Sequence, residues 1–268
     1  MKTVRPVSKK ELQNMLSKNK ARFIMSLQKK KTREEEGLYI IEGDKIVREF
    51  LEAGIRVRIL AAKPEFLRAL PSSFAGLADE TVEVSFEDLK QISSLKTPHN
   101  ALAAVPIPGK QADTDIILSD LCCALEFVQD PGNLGTIIRA AGWFGIKNII
   151  CSADCVDVYN PKVIQASMGA ILHVNVYYKD LREFLSGARS RKVPVFGMML
   201  DGESVYESQL DSKGIILLGN ESKGISGELI QYVTSKIKIP QFSISGPGID
   251  SLNVSMAASI VFSEFRRR

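Results

Sequence analysis

Residues 122–145 read CCALEFVQDPGNLGTIIRAAGWFG and hold a candidate strand, a polar turn and a candidate helix in succession. The run CCALEFV is apolar without alternation, which is typical of a strand covered on both faces in a parallel sheet. The run NLGTIIRAAGWFG has apolar residues at helical spacing and ends at Gly145, as helices commonly do. This stretch therefore predicts one βα unit of a parallel α/β fold.

The same alternation continues along the chain in both directions. Toward the C-terminus we predict strands within NIIC, HVNVYY, VPVFGMML, GIILLGN and KIKIP, mostly separated by helical segments, and a final helix over SLNVSMAASIVFSEFRRR. Toward the N-terminus we predict strands at LYIIEG, VRILAA, VEVS and ALAAVPI, again with helices between them. The pattern predicts an α/β protein whose C-terminal part contains a parallel sheet with helices on both faces.

The stretch PIPGKQADTD at residues 106–115 is rich in Pro, Gly and polar residues and is the best linker candidate. A chain of 268 residues is long enough for two domains of ordinary size. We predict a small α/β domain with a basic arm at residues 1–106, a linker at 107–115 and a larger α/β domain at 116–268.

Charge is distributed unevenly along the chain. Residues 1–33 contain eleven Lys or Arg and one acid, so this arm carries +10 and the rest of a chain of net charge +4 carries −6. A basic arm on an acidic body favours a polyanionic partner such as RNA or DNA. The alternative is a solvated helix face, because Leu16, Phe23, Ile24 and Leu27 fall near helical spacing and predict that part of the arm also packs.

Composition excludes several classes of protein. No apolar run approaches the ~18 residues needed to cross a membrane, and no apolar core of a secretion signal follows the basic N-terminus. We expect no membrane partner and a cytoplasmic location. Because no histidine lies near them, the four cysteines predict buried core thiols and no metal site: Cys122, Cys123, Cys151 and Cys155.

Three loops rich in Gly, Asn and polar residues follow apolar strands, where parallel sheets bind ligands. In the first, QDPGNLGTIIRAAG, Asn133 is suited to cap the helix, and Arg139 lies in an otherwise apolar helix, which favours an anionic partner. In the second, GNESKGISGE, Gly219 and Gly224 permit close approach of a ligand to the backbone. In the third, PQFSISGPGIDSLNVS, Ser251 is the expected cap of the last helix.

Taken together, DPGNLGTIIRAAGWFG, LLGNESKGIS and SLNVSMAASIVFSE resemble the three motifs of the SpoU/TrmH family of RNA ribose 2′-O-methyltransferases, which belongs to the SPOUT class. EEGLYIIEG and SSLKTPHNALAAV resemble the L30e-like RNA-binding domain that often precedes it. The resemblance implies a C-terminal parallel-sheet domain with a deep trefoil knot, S-adenosyl-L-methionine as the cofactor, and a homodimer formed through the knotted domain. The final helix has apolar residues on more than one face, which also favours a partner subunit.

The resemblance also implies the site residues. The catalytic set is Arg139, Asn133, Glu221, Ser251 and Asn253. The set expected to bind the cofactor is Met199, Leu218, Gly219, Asn220, Gly224, Ile239 and Leu252. No G-x-G-x-x-G follows a strand, so a Rossmann-type cofactor site is not expected.

Arg139 is expected to grip the phosphate beside the target ribose and to stabilise the negative charge that develops on the attacking 2′-oxygen. It is not expected to act as a base, since arginine stays protonated in proteins. One feature departs from the family pattern: the segment 241–250, between Pro240 and Ser251, is longer than the resemblance predicts and contains Gly-Pro-Gly.

The leading hypothesis is methylation of a ribose 2′-hydroxyl in ribosomal RNA, a choice over transfer RNA that rests on analogy of domain layout. The alternatives are a transfer RNA ribose methyltransferase, a non-catalytic RNA-binding protein of the same fold, and a metabolic enzyme that binds a nucleotide or another anion. The basic arm favours a polymer substrate over the last of these.

Overall fold

The computed structural model describes residues 16–74, 76–109, 112–242 and 251–267. The chain separates into two compact units: Met1–Gly109 with Tyr159–Pro161, and Lys110–Val158 with Lys162–Arg268. The main division falls between Gly109 and Lys110, within the stretch predicted as a linker. The predicted linker is not wholly irregular, because a helix begins at Thr114, where Asp113 accepts hydrogen bonds from the amides of Asp115 and Ile116.

The N-terminal unit consists, in chain order, of α1 (Lys18–Ser26), α2 (Lys30–Glu36), β1 (Leu38–Glu42), α3 (Asp44–Glu52), β2 (Val57–Ala62), α4 (Pro64–Arg68), a 3₁₀ turn (Ser72–Phe74), β3 (Ala78–Glu83), α5 (Phe86–Ile92) and β4 (Ala101–Pro106). Its sheet has the order β1-β4-β2-β3. Strand β4 runs antiparallel to both of its neighbours, whereas β2 and β3 are parallel. This sheet is therefore mixed.

The arm residues that precede β1 contribute to this core. Ile24 of α1 and Leu27 directly after it are fully buried, and they pack with Leu102 and Ala104 of β4. The apolar positions of the arm thus pack as their spacing predicts, and the lysines of the same helices lie outside the core. Strand β3 begins earlier than the predicted VEVS. It is an edge strand in which exposed residues alternate with half-buried or buried ones, so its first residues lack the apolar run by which a strand is recognised.

The C-terminal unit consists of α6 (Thr114–Leu118), β5 (Leu121–Leu125), α7 (Pro131–Trp143), β6 (Asn148–Cys151), α8 (Pro161–Ser167, of which Pro161 is grouped with the first unit), a 3₁₀ turn (Ala170–Leu172), β7 (Asn175–Tyr178), α9 (Leu181–Ser190), β8 (Val195–Ser204), β9 (Gly214–Leu218), α10 (Gly227–Ile230), β10 (Ser235–Lys238) and α11 (Val254–Arg267). The sheet order is β10-β8-β9-β5-β6-β7, and every pairing is parallel. The predicted parallel sheet is confirmed. The predicted knot stays a prediction, because its path would include residues 243–250, which lie outside the described part of the chain.

Two predicted helix caps are wrong. Helix α7 is capped by Asp130, whose carboxylate accepts the Asn133 amide at 2.8 Å, with Pro131 in the first helical position. Helix α11 is capped by Asn253, which accepts the amides of Ser255 and Met256 at 2.9 and 3.3 Å, and Ser251 lies before it. In the first case this correction leaves the side chain of Asn133 available for other contacts.

All four cysteines are free and buried, as predicted. No helix within the described residues is long and apolar enough to span a membrane.

Candidate active site

The side chain of Asn133 connects the three loops singled out in the sequence. Its Nδ2 donates to Oε1 of Glu221 at 2.8 Å, and its Oδ1 accepts from Nδ2 of Asn253 at 2.9 Å. These partners lie 88 and 120 residues further along the chain. Asn133 is in the first turn of α7, Glu221 follows β9, and Asn253 begins α11. Three of the five predicted catalytic residues therefore form one hydrogen-bonded group.

The loop after β9 is held in a tight turn. Asn220 and Gly224 exchange two backbone hydrogen bonds of 3.1 and 2.8 Å, and the Asn220 side chain accepts the amides of Ser222 and Lys223. Gly224 has φ +69°, a conformation that favours glycine. A Cβ on Gly219 would lie 2.2 Å from the carbonyl carbon of Gly224, so only glycine fits there. Asn220 also donates to the carbonyl oxygen of Phe127 at 3.0 Å, which fixes this turn to the loop after β5.

A cavity of about 680 Å³ lies beside this turn, next to the middle of β8 and the carboxyl ends of β9 and β10. It is lined by all seven residues predicted to bind a cofactor: Met199, Leu218, Gly219, Asn220, Gly224, Ile239 and Leu252. Glu221 and Ser251 of the predicted catalytic set also line it. The structure thus brings together around one cavity residues that are distributed over more than fifty positions of the sequence.

Arg139 lies apart from this group. It is exposed on α7 and does not line the cavity, and its side chain makes no hydrogen bond or ion pair with any residue in the described ranges. The site roles assigned to Arg139 and to the other predicted residues stay predictions. Ser251 is exposed at the edge of the cavity. The longer segment that follows Pro240 lies outside the described residues from position 243 to 250.

The sequence reasoning missed two residues that hold the loops in place. The carboxylate of Glu126 accepts the backbone amide of Ser226 at 2.8 Å, and the carbonyl of Phe127 accepts Asn220. Both follow β5 directly, and this position at the carboxyl end of a strand was the available signal. Within the described residues, no group of three or more histidine, cysteine or carboxylate side chains is arranged to hold a metal ion.

Two cysteines lie beneath the loop after β5. A hydrogen bond with the Cys151 thiol lowers the pKa of Cys155 from 9.0 to about 7, against burial, which acts in the opposite direction. The Ser152 hydroxyl and the Val128 amide, the latter 3.3 Å from the sulfur, act in the same direction as Cys151. The same contact raises the pKa of Cys151 well above its ordinary value. Cys155 is thus the thiol of the pair that ionises first.

Replacing Cys155 with alanine is expected to flatten the pH dependence of stability. Cys155 loses its proton near pH 7 in the folded protein and near pH 9 in the unfolded chain, so the wild-type free energy of unfolding rises across this window, by on the order of 2 kcal/mol. This contribution disappears as the pH falls through 7. Urea unfolding of both proteins at pH 6.5, 7.5 and 8.5 under reducing conditions measures it, and parallel curves would contradict the assignment.

Two substitutions of Asn253 should separate its capping role from its role in the site. Asn253→Ala removes the cap and should cost about 1 kcal/mol of stability. Asn253→Ser retains a capping oxygen but is too short to reach Asn133 as well, so it should retain most of that stability. Both should disorder the orientation of Asn133. Thermal unfolding and the catalytic assay described below give the two readouts; a serine variant with full activity would show that the Asn133 contact is dispensable.

The fold and this site define an α/β protein with a ligand cavity at the carboxyl edge of a parallel sheet, formed from three loops tied together by Asn133. A family model described as the SpoU rRNA methylase family matches residues 120–263, and a model described as an MRM3-like substrate binding domain matches residues 18–103. The first match covers more than half of the chain. The protein belongs to the SpoU rRNA methylase family.

Individual relatives agree with this family over nearly the whole chain. The 23S rRNA (guanosine(2553)-2′-O)-methyltransferase RlmP of Bacillus subtilis is 27% identical over 242 residues, which cover 90% of this chain and 93% of RlmP. The mitochondrial rRNA methyltransferase 3 of Mus musculus is 28% identical, over 88% of this chain and 69% of its own length.

Solved structures share the fold of both units. A TrmH-family protein from Porphyromonas gingivalis superposes with a TM-score of 0.83 at 38% identity, over 94% of this chain and 99% of that one. An AdoMet-bound rRNA methyltransferase from Sinorhizobium meliloti superposes with a TM-score of 0.84 at 27% identity, over 95% and 96%. Both of these solved structures are described as methyltransferases.

Proposed function

We propose that the protein is an S-adenosylmethionine-dependent enzyme that methylates a ribose 2′-hydroxyl in ribosomal RNA. The observation that carries the proposal is the hydrogen-bonded group of Asn133, Glu221 and Asn253 beside the cavity. Family membership supports it, and so do relatives named for rRNA ribose methylation and an AdoMet-bound relative of the same fold.

The lining of the cavity suits this cofactor. Leu218, Ile239 and Leu252 offer apolar surface for an adenine ring, and the turn at Gly219 brings backbone atoms close enough to bind it without intervening side chains. Glu221 adds a carboxylate to the lining, as does Asp201, which pairs with Lys236, and Lys223 and Lys238 add two cations. When bound, S-adenosylmethionine supplies an electrophilic methyl group. The protein side chains have to bring a ribose oxygen into line with that group.

Positioning is the role that the geometry supports for the central group. Both polar atoms of the Asn133 side-chain amide are held by fixed partners, so the first turn of α7 is locked against the turn after β9 and the start of α11. Pre-organisation of this kind lowers the barrier of an in-line displacement. We propose that Arg139, exposed and without a partner among the described residues, holds the phosphate next to the ribose and stabilises charge on the attacking oxygen. Ser251 is proposed to contact the substrate at the cavity edge.

We propose a homodimer formed through the C-terminal unit. Large apolar side chains are exposed on α7 and beside it. Trp143 at the end of α7 is 85% exposed, Met256 of the neighbouring α11 is 58% exposed, and Met168, which follows α8, is 56% exposed. Such surface favours coverage by a second subunit, and Arg139 lies on the same helix as Trp143. Sedimentation velocity of the wild type and of a Trp143→Asp variant tests this proposal, with dissociation expected for the variant.

We propose that the protein acts in the cytoplasm.

We also propose that the N-terminal unit contacts the RNA. One groove of this unit is lined by Lys18, Arg22 and Lys29. No acidic residue is present among the described residues that line it. Basic side chains of this kind bind phosphates, and such binding weakens as salt is added. A weak dependence of RNA affinity on salt would argue against this contact.

Mapping of ribose methylation by mass spectrometry tests the function. Total RNA from cells with and without the protein should differ at one or a few ribosomal positions, and purified protein with S-adenosylmethionine should restore the modification in vitro. A difference confined to transfer RNA would support the alternative substrate. No difference, together with no binding of S-adenosylmethionine in calorimetry, would support a non-catalytic RNA-binding protein.

A further inference from the structure

A second cleft, of about 670 Å³, lies on the C-terminal unit next to the cofactor cavity. Asn220, Lys223 and Gly224 line both, so the turn after β9 belongs to the walls of both sites. The rest of the second cleft comes from the carboxyl ends of β5, β6 and β7 and from the start of α10, and it includes Phe127 and Ser152. Four carboxylates also line it: Glu126, Asp154, Asp180 and Glu228. A transfer reaction needs two ligands at adjacent sites, and the proposed cofactor accounts for one cavity only.

Phe127 is held in this cleft by a costly backbone conformation. Its φ is +58°, in the left-handed region that glycine favours and that a bulky residue rarely adopts. Two hydrogen bonds keep it there: its amide donates to the Ser152 hydroxyl at 3.0 Å, and its carbonyl accepts from Asn220 at 3.0 Å. Residues retained in such conformations cluster at functional sites. Glycine would remove the strain, so the phenyl ring itself requires an explanation.

The ring has an electrostatic partner that suits a nucleotide. The ammonium group of Lys223 lies over the Phe127 ring, 5.5 Å from its centre, so the flexible Lys223 side chain moves off this face before a base stacks on it. Phe127 is only half-buried and Lys223 is exposed, so both are within reach of a ligand. An aromatic face and a nearby cation together match a nucleobase and its phosphate. The other cations of the cleft have protein partners: Lys179 donates to Thr114, and Arg182 pairs with Asp180 and Glu228.

We propose that this cleft receives the base of the nucleotide to be methylated, stacked on Phe127 with a flanking phosphate near Lys223. The proposal rests on the proposed function and assigns the acceptor subsite. A base seated here places its ribose toward Asn220, at the wall shared with the cofactor cavity. An RNA nucleotide must leave its helix to enter such a cleft, which is how other enzymes that modify nucleotides reach their targets.

The Phe127→Gly variant tests this proposal in a protein whose folding should not be impaired. Phe127→Gly removes the ring and relieves the backbone, so thermal stability should be unchanged or higher. The KM for ribosomal RNA lacking the modification should rise by about tenfold, as expected for loss of one stacked base, with the affinity for S-adenosylmethionine unchanged. Phe127→Leu should show a similar rise, and Phe127→Tyr should retain more RNA affinity than Phe127→Leu. Lys192→Gly, which relieves φ +58° in an exposed turn, is the matched control and should leave KM unaltered.

A second measurement does not depend on catalysis. Protein labelled with fluorophenylalanine is titrated with nucleoside 5′-monophosphates, and the signal that is missing in Phe127→Leu should shift as a base stacks on it. If transfer is absent but this signal shifts, the proposed reaction fails and the base site stands. If transfer occurs while the signal does not move and the Phe127→Gly KM is normal, the base site is wrong. Weaker binding of S-adenosylmethionine by Phe127→Gly would also overturn it, because the ring would then act through the cofactor cavity.

Discussion

Replacing Arg139 with alanine is expected to lower the rate of methyl transfer by about a thousandfold without altering the stability of the fold. Arg139 is exposed on α7 and has no ion pair or hydrogen bond within the described residues, so its removal breaks no contact there. Because the guanidinium is exposed, it pays no desolvation cost in the folded chain and is free to bind an anion during function. Single-turnover transfer from labelled S-adenosylmethionine to unmodified ribosomal RNA measures the change.

Two further variants show whether the loss of rate is specific to the guanidinium at position 139. Arg139→Lys retains the charge but loses the planar pair of donors, so it should recover only a small part of the rate. Arg189→Ala removes another exposed arginine, on α9 and outside both clefts, and should leave transfer unchanged. If Arg139→Ala transferred methyl groups within threefold of the wild type, Arg139 would have no place in the catalytic set, and the positions near Asn133 would have to supply the stabilisation instead.

The sequence was sufficient for the α/β alternation and for bringing seven of the predicted residues together around the 680 Å³ cavity. Strands β2 and β6 have the predicted limits, because the mostly apolar runs VRILAA and NIIC are buried except at Arg58. The direction of β4 was not predictable. Apolar pattern is the same for a parallel and an antiparallel strand in a covered sheet, and the direction depends on which neighbour the strand joins.

The contacts of Asn133 show why local sequence is insufficient within the site. Asp130 and Asn133 are both residues that cap helices, and the choice between them is made by Pro131 in the first helical position. The side chain of Asn133 then forms hydrogen bonds with Glu221 and Asn253, which are distant in sequence. No pattern within a short window contains that information. The left-handed conformation of Phe127 is similarly hidden, since nothing near it in the sequence marks a turn that requires glycine.

Replacing Gly219 with alanine is expected to lower the affinity for S-adenosylmethionine by about a hundredfold. The new Cβ would lie 2.2–2.4 Å from backbone atoms of Gly224 and Ile225, and backbone cannot move aside as a flexible side chain does. The turn after β9 would have to open, breaking the two hydrogen bonds between Asn220 and Gly224 and displacing Glu221 from Asn133. Calorimetry with S-adenosylmethionine measures the loss directly.

Gly227→Ala is the matched control for this prediction. Gly227 begins α10, eight residues after Gly219, and no atom lies within 4 Å of the position that its Cβ would occupy. Alanine is also favoured over glycine in a helix, so this variant should bind the cofactor normally and unfold at the same or a higher temperature. Normal cofactor affinity in Gly219→Ala, with a folded protein shown by circular dichroism, would mean that the turn does not form the cofactor site. The ligand of the 680 Å³ cavity would then have to be sought among other molecules.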